Sequence, residues 1–146
     1  MKRLLTPLLF AFVSTTDAAD VLAVRLHGHR LTTKFAPNVA TRERGLMLRT
    51  ELAGDHSMLF VFPNEDRRSS WTKNTLIPLD TLYFDGSRRL VSVQAGVGPS
   101  ETAPCPSYPS DRPARYVLEL PAGTAAKIGV TVDDELPIEG AVGPVQ

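Results

Sequence analysis

Twelve prolines and ten glycines punctuate this chain of 146 residues, and their short spacing limits its fold more than any other feature. Proline fixes φ and removes a backbone donor, and glycine weakens element interiors, so the stretches between them suit short strands and turns. The apolar period agrees. Leu22, Val24 and Leu26 share one face of an extended stretch, and Leu31, Thr33 and Phe35 repeat the pattern after a turn at His27-Gly28-His29-Arg30. That predicts an opening hairpin. Pro37 suits the first turn of a short amphipathic helix running to about Arg49, with Val39, Leu46 and Met47 on a narrow apolar stripe. The run Ser57 to Phe62 reads as a strand buried on both faces, and Ser69 to Lys73 as another strand. Leu79–Phe84 and Arg89–Gln94 flank Asp85-Gly86, a hairpin signal because this dipeptide tolerates positive φ.

Gly96 to Pro113 holds five prolines and no apolar period, so a long loop is expected there. Arg115–Leu120 reads as a strand, Gly123–Ile128 as a short helix capped by Gly129, and Glu135–Ile138 as a closing strand. The expected fold is mainly β: a single-domain β-sandwich, or jelly-roll-like partly open barrel, with one or two short helices.

Residues 1–19 have the layout of a secretory signal peptide. Lys2 and Arg3 precede the apolar run Leu4 to Val13, and small and polar residues follow to Ala19. The run is too short to span a bilayer, and no later segment reaches that length. The expected location is therefore the periplasm or cell envelope, with residues 20–146 as one domain. A single cysteine, Cys105, supplies no intramolecular disulfide, so the hydrophobic core must hold the fold. A hydrophobic fraction of 42% with 22% charged residues allows such a core. The formal net charge of zero gives no basic surface for nucleic acid, and no nucleic-acid partner is expected.

Four segments occur in a recognisable order: Arg44-Gly45-Leu46-Met47, Met58 to Phe62, Trp71 to Asp80, and Pro113 to Gly123. Together they resemble the bacterial and archaeal family called domain of unknown function 192, over about residues 22–137. Thr72 stands where family members usually carry Met. The resemblance implies a jelly-roll-like β fold, often behind a signal peptide, and no established activity.

The segment Trp71 to Asp80 is the richest in chemistry. In an extended stretch Trp71 and Lys73 share a face, an aromatic platform beside an ammonium donor, while Asn74 offers an amide and Asp80 a carboxylate. Arg44 and Arg115 suit a bidentate grip on a carboxylate or phosphate, and each equally suits a structural pairing with Asp80. The loop carrying Cys105 and Tyr108 is a possible lid or wall. No P-loop, Cys-x-x-Cys, His-Glu-x-x-His or Gly-x-Ser-x-Gly motif occurs, and neither a metal nor another cofactor is expected. His27 and His29 are too few for a dedicated zinc site. The expected function is an envelope module that binds a polar small molecule or glycan through Arg44, Trp71, Lys73, Asn74, Asp80, Arg115 and Tyr108. Two alternatives stay open. One is an enzyme with Asp80 as general acid or base and Lys73 or an arginine stabilising an anion; the other is an assembly partner using an exposed apolar patch.

Overall fold

A computed structural model describes residues 22–146; the expected signal peptide lies outside the described residues. The chain opens with strands β1 (Ala23–Leu26) and β2 (His29–Ala36), paired antiparallel through His27 and Gly28. Both turn residues have positive φ, 46° and 77°, the combination that matches a two-residue turn to strand twist.

Helix α1 (Val39–Arg44) follows and is shorter than expected. Asn38 is its N-cap: its carboxamide oxygen accepts from the Thr41 amide, and the Thr41 hydroxyl accepts from the Asn38 amide. Pro37 therefore lies outside the helix. The predicted apolar stripe is absent, because α1 has no buried residue and Leu46 is buried beyond its end. Gly45 stops the helix at φ 47°, ψ −131°. A Cβ at Gly45 would sit 3.2 Å from the Phe60 ring, so glycine is needed for both the backbone angle and the close approach.

The remaining elements are β3 (His56–Asp66), β4 (Ser69–Trp71), β5 (Leu79–Phe84), β6 (Leu90–Val97), β7 (Ser107–Pro109), β8 (Ala114–Pro121), α2 (Thr124–Ile128) and β9 (Ile138–Glu139). Seven strands form one mixed sheet in the order β6-β5-β8-β3-β2-β1-β9, and β4 pairs with β7 in a separate ribbon. Among the described residues the fold is mainly β with two short helices, as the sequence led us to expect. The large sheet is not closed into a barrel. Its two ends are tied instead by the chain before β9: the Leu90 amide donates to the Asp134 carbonyl, and the Leu136 amide donates to the Arg88 carbonyl.

Two local expectations change. The β5–β6 hairpin exists, but Arg88 rather than Gly86 takes the positive φ, at 63°. Asp85 organises the longer turn by accepting from the Ser87 and Arg89 amides. The Gly96–Pro113 stretch is not all loop, since it supplies β7; its partner β4 gives Ser107, Tyr108 and Pro109 a ladder that no apolar period announced.

The sheet is buried on both faces. Leu59, Val61, Leu82, Phe84, Leu118 and Leu120 pack on one side with Ala125 of α2. Met58, Phe60, Tyr83 and Val117 pack on the other with Ala36 and Leu46. The β4–β7 ribbon lies over this second face and is fastened to it by Tyr83. The Tyr83 hydroxyl donates to the Tyr108 carbonyl at 2.5 Å and accepts from the Ser70 amide at 3.1 Å.

Candidate functional site

Between the ribbon and the sheet lies a cavity of about 80 Å³. Its floor is the second face of β3 and β8, where Phe60, Val117 and Glu119 point the same way. One wall is the end of α1 with Arg44, Gly45 and Met47, and the other is β4 and its continuation, with Ser69, Ser70, Trp71 and Lys73. The two walls are joined at one rim, where the Leu48 amide donates to the Asn74 carbonyl at 2.8 Å. Both residues have left-handed backbone, φ 62° and 55°. A leucine held there and 73% exposed is strained without gaining burial, a combination that concentrates at functional sites. Outside this rim the cleft widens into a shallow vestibule lined by Ala40, Met47, Leu48 and Trp71.

Trp71 is 53% exposed, and the Lys73 ammonium lies 5.8 Å from its ring centroid, within reach of a cation–π contact. Neither Lys73 nor Arg44 forms an ion pair among the described residues. Arg68, which also lines the cavity, is committed to the fold. It stacks on Phe62 at 4.0 Å and donates to the Ala114 and Asn64 carbonyls.

The floor holds one ionisable group. Glu119 is 8% exposed, and burial pushes its carboxyl up to about 7, with no hydrogen bond or ion pair offsetting the cost. Glu119 lies within one of the four ordered segments, with no role expected for it from the sequence. Its signal was present: a carboxylate in the middle of the apolar strand Tyr116–Leu120 has either solvent or a purpose.

Of the seven expected site residues, the structure gathers Arg44, Trp71 and Lys73 around the cleft, sets Asn74 at its rim, and places Asp80, Arg115 and Tyr108 elsewhere. Asp80 is 1% exposed and lies on the opposite face of the sheet. Its carboxylate accepts from the Gly96 amide at 2.9 Å and from the Ala125 amide at 2.9 Å, fixing β6 and α2 to β5. It pairs with neither arginine and points away from the cleft, so it holds the fold and is not the acid or base of this cleft. Register explains the placement. Thr81 opposes Glu119 and Asp80 opposes Leu120, and adjacent residues of a strand point to opposite faces. Arg115 donates to the Phe62 carbonyl at 3.1 Å beside the Tyr116 ring, outside the cleft. Asn74 closes the rim through its backbone, and Tyr108 contributes its carbonyl to the Tyr83 anchor. The Cys105 thiol lies near the Thr102 carbonyl, at 3.8 Å, and His27 pairs with Asp134 at 2.6 Å.

The segments that carried the family resemblance meet in this cleft: Arg44–Met47 at one wall, Phe60 and Phe62 with Val117 and Glu119 at the floor, and Trp71, Lys73 and Thr75 opposite. The family of uncharacterised proteins named DUF192 matches residues 22–138. A UPF0127 protein of Pyrococcus furiosus is 27% identical over 109 residues, covering 73% of this chain and 86% of that protein. A protein of unknown function from Novosphingobium aromaticivorans superposes with a TM-score of 0.71 at 29% identity, covering 80% of this chain and 82% of that one. A candidate transcription regulator from Sinorhizobium meliloti superposes with a TM-score of 0.72 at 34% identity, covering 81% and 92%. The chain belongs to the DUF192 family, whose function is unknown.

Proposed function

We propose that the protein is a binding module for a small polar organic molecule, working in the periplasm or cell envelope. The observation that carries this reading is the convergence of the four family-like segments on one cavity, with Arg44 and Lys73 forming no ion pair among the described residues at its mouth, beside an exposed Trp71. Arg44 and Lys73 suit an anionic group, and the indole offers a flat apolar face to whatever joins it to the rest of the ligand. Size narrows the class. A cavity of about 80 Å³ is roughly half the ~150 Å³ that holds one benzene, so a sugar ring stays outside against Trp71 and only a small group enters. Export rests on the Lys2–Ala19 leader.

Titration with small carboxylates and phosphates, followed by amide chemical shifts, tests the site. Saturable shifts centred on residues 44–48, 71–75 and 117–119 are expected, lost in Trp71→Ala and in the Arg44→Ala/Lys73→Ala double variant and kept in Arg89→Ala. No saturable shift across the panel sinks the reading. N-terminal sequencing of protein from the envelope fraction tests export. A second reading, an acid–base enzyme at the same cleft, is favoured by the carboxyl of Glu119 titrating near neutrality. It requires Glu119 in place of Asp80, and recovery of chemically unchanged ligand after long incubation rules it out.

A further inference from the structure

Glu119 is the one charged group on a floor otherwise made of Phe60, Phe62 and Val117. Those walls offer no hydrogen bond, and the nearby Ser70 is already engaged with the Tyr83 hydroxyl, 2.9 Å away. The charged and titratable groups around it come from every packed element: Glu43 and Arg44 from α1, Arg68 from the chain before β4, Lys73 after β4, and the Tyr83 phenol from β5. None of them forms an ion pair with Glu119, and Arg68 is turned toward Asn64 and Ala114. A buried carboxylate without a donor is costly. The cleft thus has a carboxyl at the bottom and, at the mouth, two cations, Arg44 and Lys73, against the single carboxylate of Glu43, none of them ion-paired among the described residues.

We propose that this inner end is an ammonium subsite, with Glu119 the counter-ion of a primary amine, and that the ligand is a small zwitterion whose carboxylate or phosphate is held at the mouth by Arg44 and Lys73. The proposal rests on the cleft being a binding site and adds the chemistry of the buried end. The cavity volume fits it: an ammonium and one or two methylenes fill such a space, and the apolar floor covers the methylenes while the carboxylate takes the charge. No covalent bond to the ligand is made or broken; the carboxyl proton of Glu119 passes to solvent as the ammonium enters.

That proton gives the test. The amine prefers the ionised carboxylate, so affinity falls about tenfold for each pH unit below about 7 and is level above it. The probes are glycine, β-alanine, γ-aminobutyrate and phosphoethanolamine, which vary the spacing and the anion, with propionate and inorganic phosphate as partners lacking the amine. Calorimetry on the full chain at pH 6, 7 and 8 is expected to show at least one amino compound binding tenfold or more tightly than its amine-free partner at pH 8. The advantage shrinks about tenfold at pH 6, and proton release at pH 7 is visible as a dependence of the heat on the buffer's ionisation enthalpy. Glu119→Gln is expected to abolish that advantage and the proton release while leaving propionate or phosphate binding in place, which also shows that the variant is folded. If the amine-free anions bind and the amino compounds bind no better, the ammonium subsite is wrong and the binding cleft stands. If nothing in either set binds, both fall.

Discussion

Replacing Glu119 by glutamine tests the energetic basis of the site without any ligand. The carboxyl has an ordinary value of 4.5 and is raised to about 7 in the folded protein by burial alone. The folded state therefore holds its proton more tightly than the unfolded chain does. Stability from this group is fully present below about pH 4.5, falls as the pH rises toward 7, and is gone above it. At about 1.36 kcal/mol for each pH unit between the two values, the loss is on the order of 3 kcal/mol. Glutamine has nearly the same shape and never ionises, so its stability lacks this slope. Urea unfolding of wild type and Glu119→Gln at half-unit steps from pH 4 to 8.5 measures it. The two should differ little at pH 4 to 4.5 apart from a constant offset, and the variant should gain about 3 kcal/mol on wild type by pH 8, with the denaturant slope unchanged. Parallel pH profiles would refute the reasoning, because they would mean that Glu119 is ionised at no cost and is therefore solvated or paired. The gain from removing the charge is the expected mark of a group kept for binding rather than for stability.

Three further outcomes separate the fold from the site. Asp80→Ala removes the acceptor of two backbone amides, Gly96 and Ala125, and should cost about 3 kcal/mol or more in thermal or urea unfolding; a loss below about 1 kcal/mol would show that these amides find other partners. Tyr83→Phe should cost about 1–2 kcal/mol and speed amide hydrogen exchange in Ser69–Trp71 and Ser107–Pro109, because the phenol is the anchor of the ribbon; unchanged exchange there would place the anchor elsewhere. Thr72 is buried with a hydroxyl that has no partner among the described residues, so Thr72→Val should raise stability by about 1 kcal/mol. An equal or lower urea midpoint for that variant would count against it.

Much of this molecule is legible in its sequence. Turn residues bounded the strands: His27-Gly28 opened the first hairpin, Gly129 closed α2 with φ 81°, and the alternation of Leu22, Val24 and Leu26 put them in the core. The four ordered segments gave the family. Helix α1 was overextended because apolar residues at 46 and 47 fit a helical period, whereas the contact between Gly45 and Phe60, fifteen positions apart in the chain, decides where the helix ends. β7 was invisible for the same reason, since the ladder with β4 and the Tyr83 hydroxyl that hold it come from distant parts of the chain.

The site was half legible. Trp71 and Lys73 lie two residues apart in one extended stretch, so local geometry alone placed them together. The roles of the two carboxylates depended on something no local pattern carries. Strands β5 and β8 are buried on both faces, so their sequences are nearly continuous apolar runs, and a period of two cannot say which face is which. Asp80 and Glu119 belong to paired strands, and a one-residue difference in cross-strand register sends one to the α2 side and the other to the cleft. Sequence by itself determined that the chain makes short strands, which residues are apolar, and which family it joins. Only the tertiary structure decided which buried acid faces amides that satisfy it and which faces the cleft, because that choice is made by pairing between strands far apart in the chain.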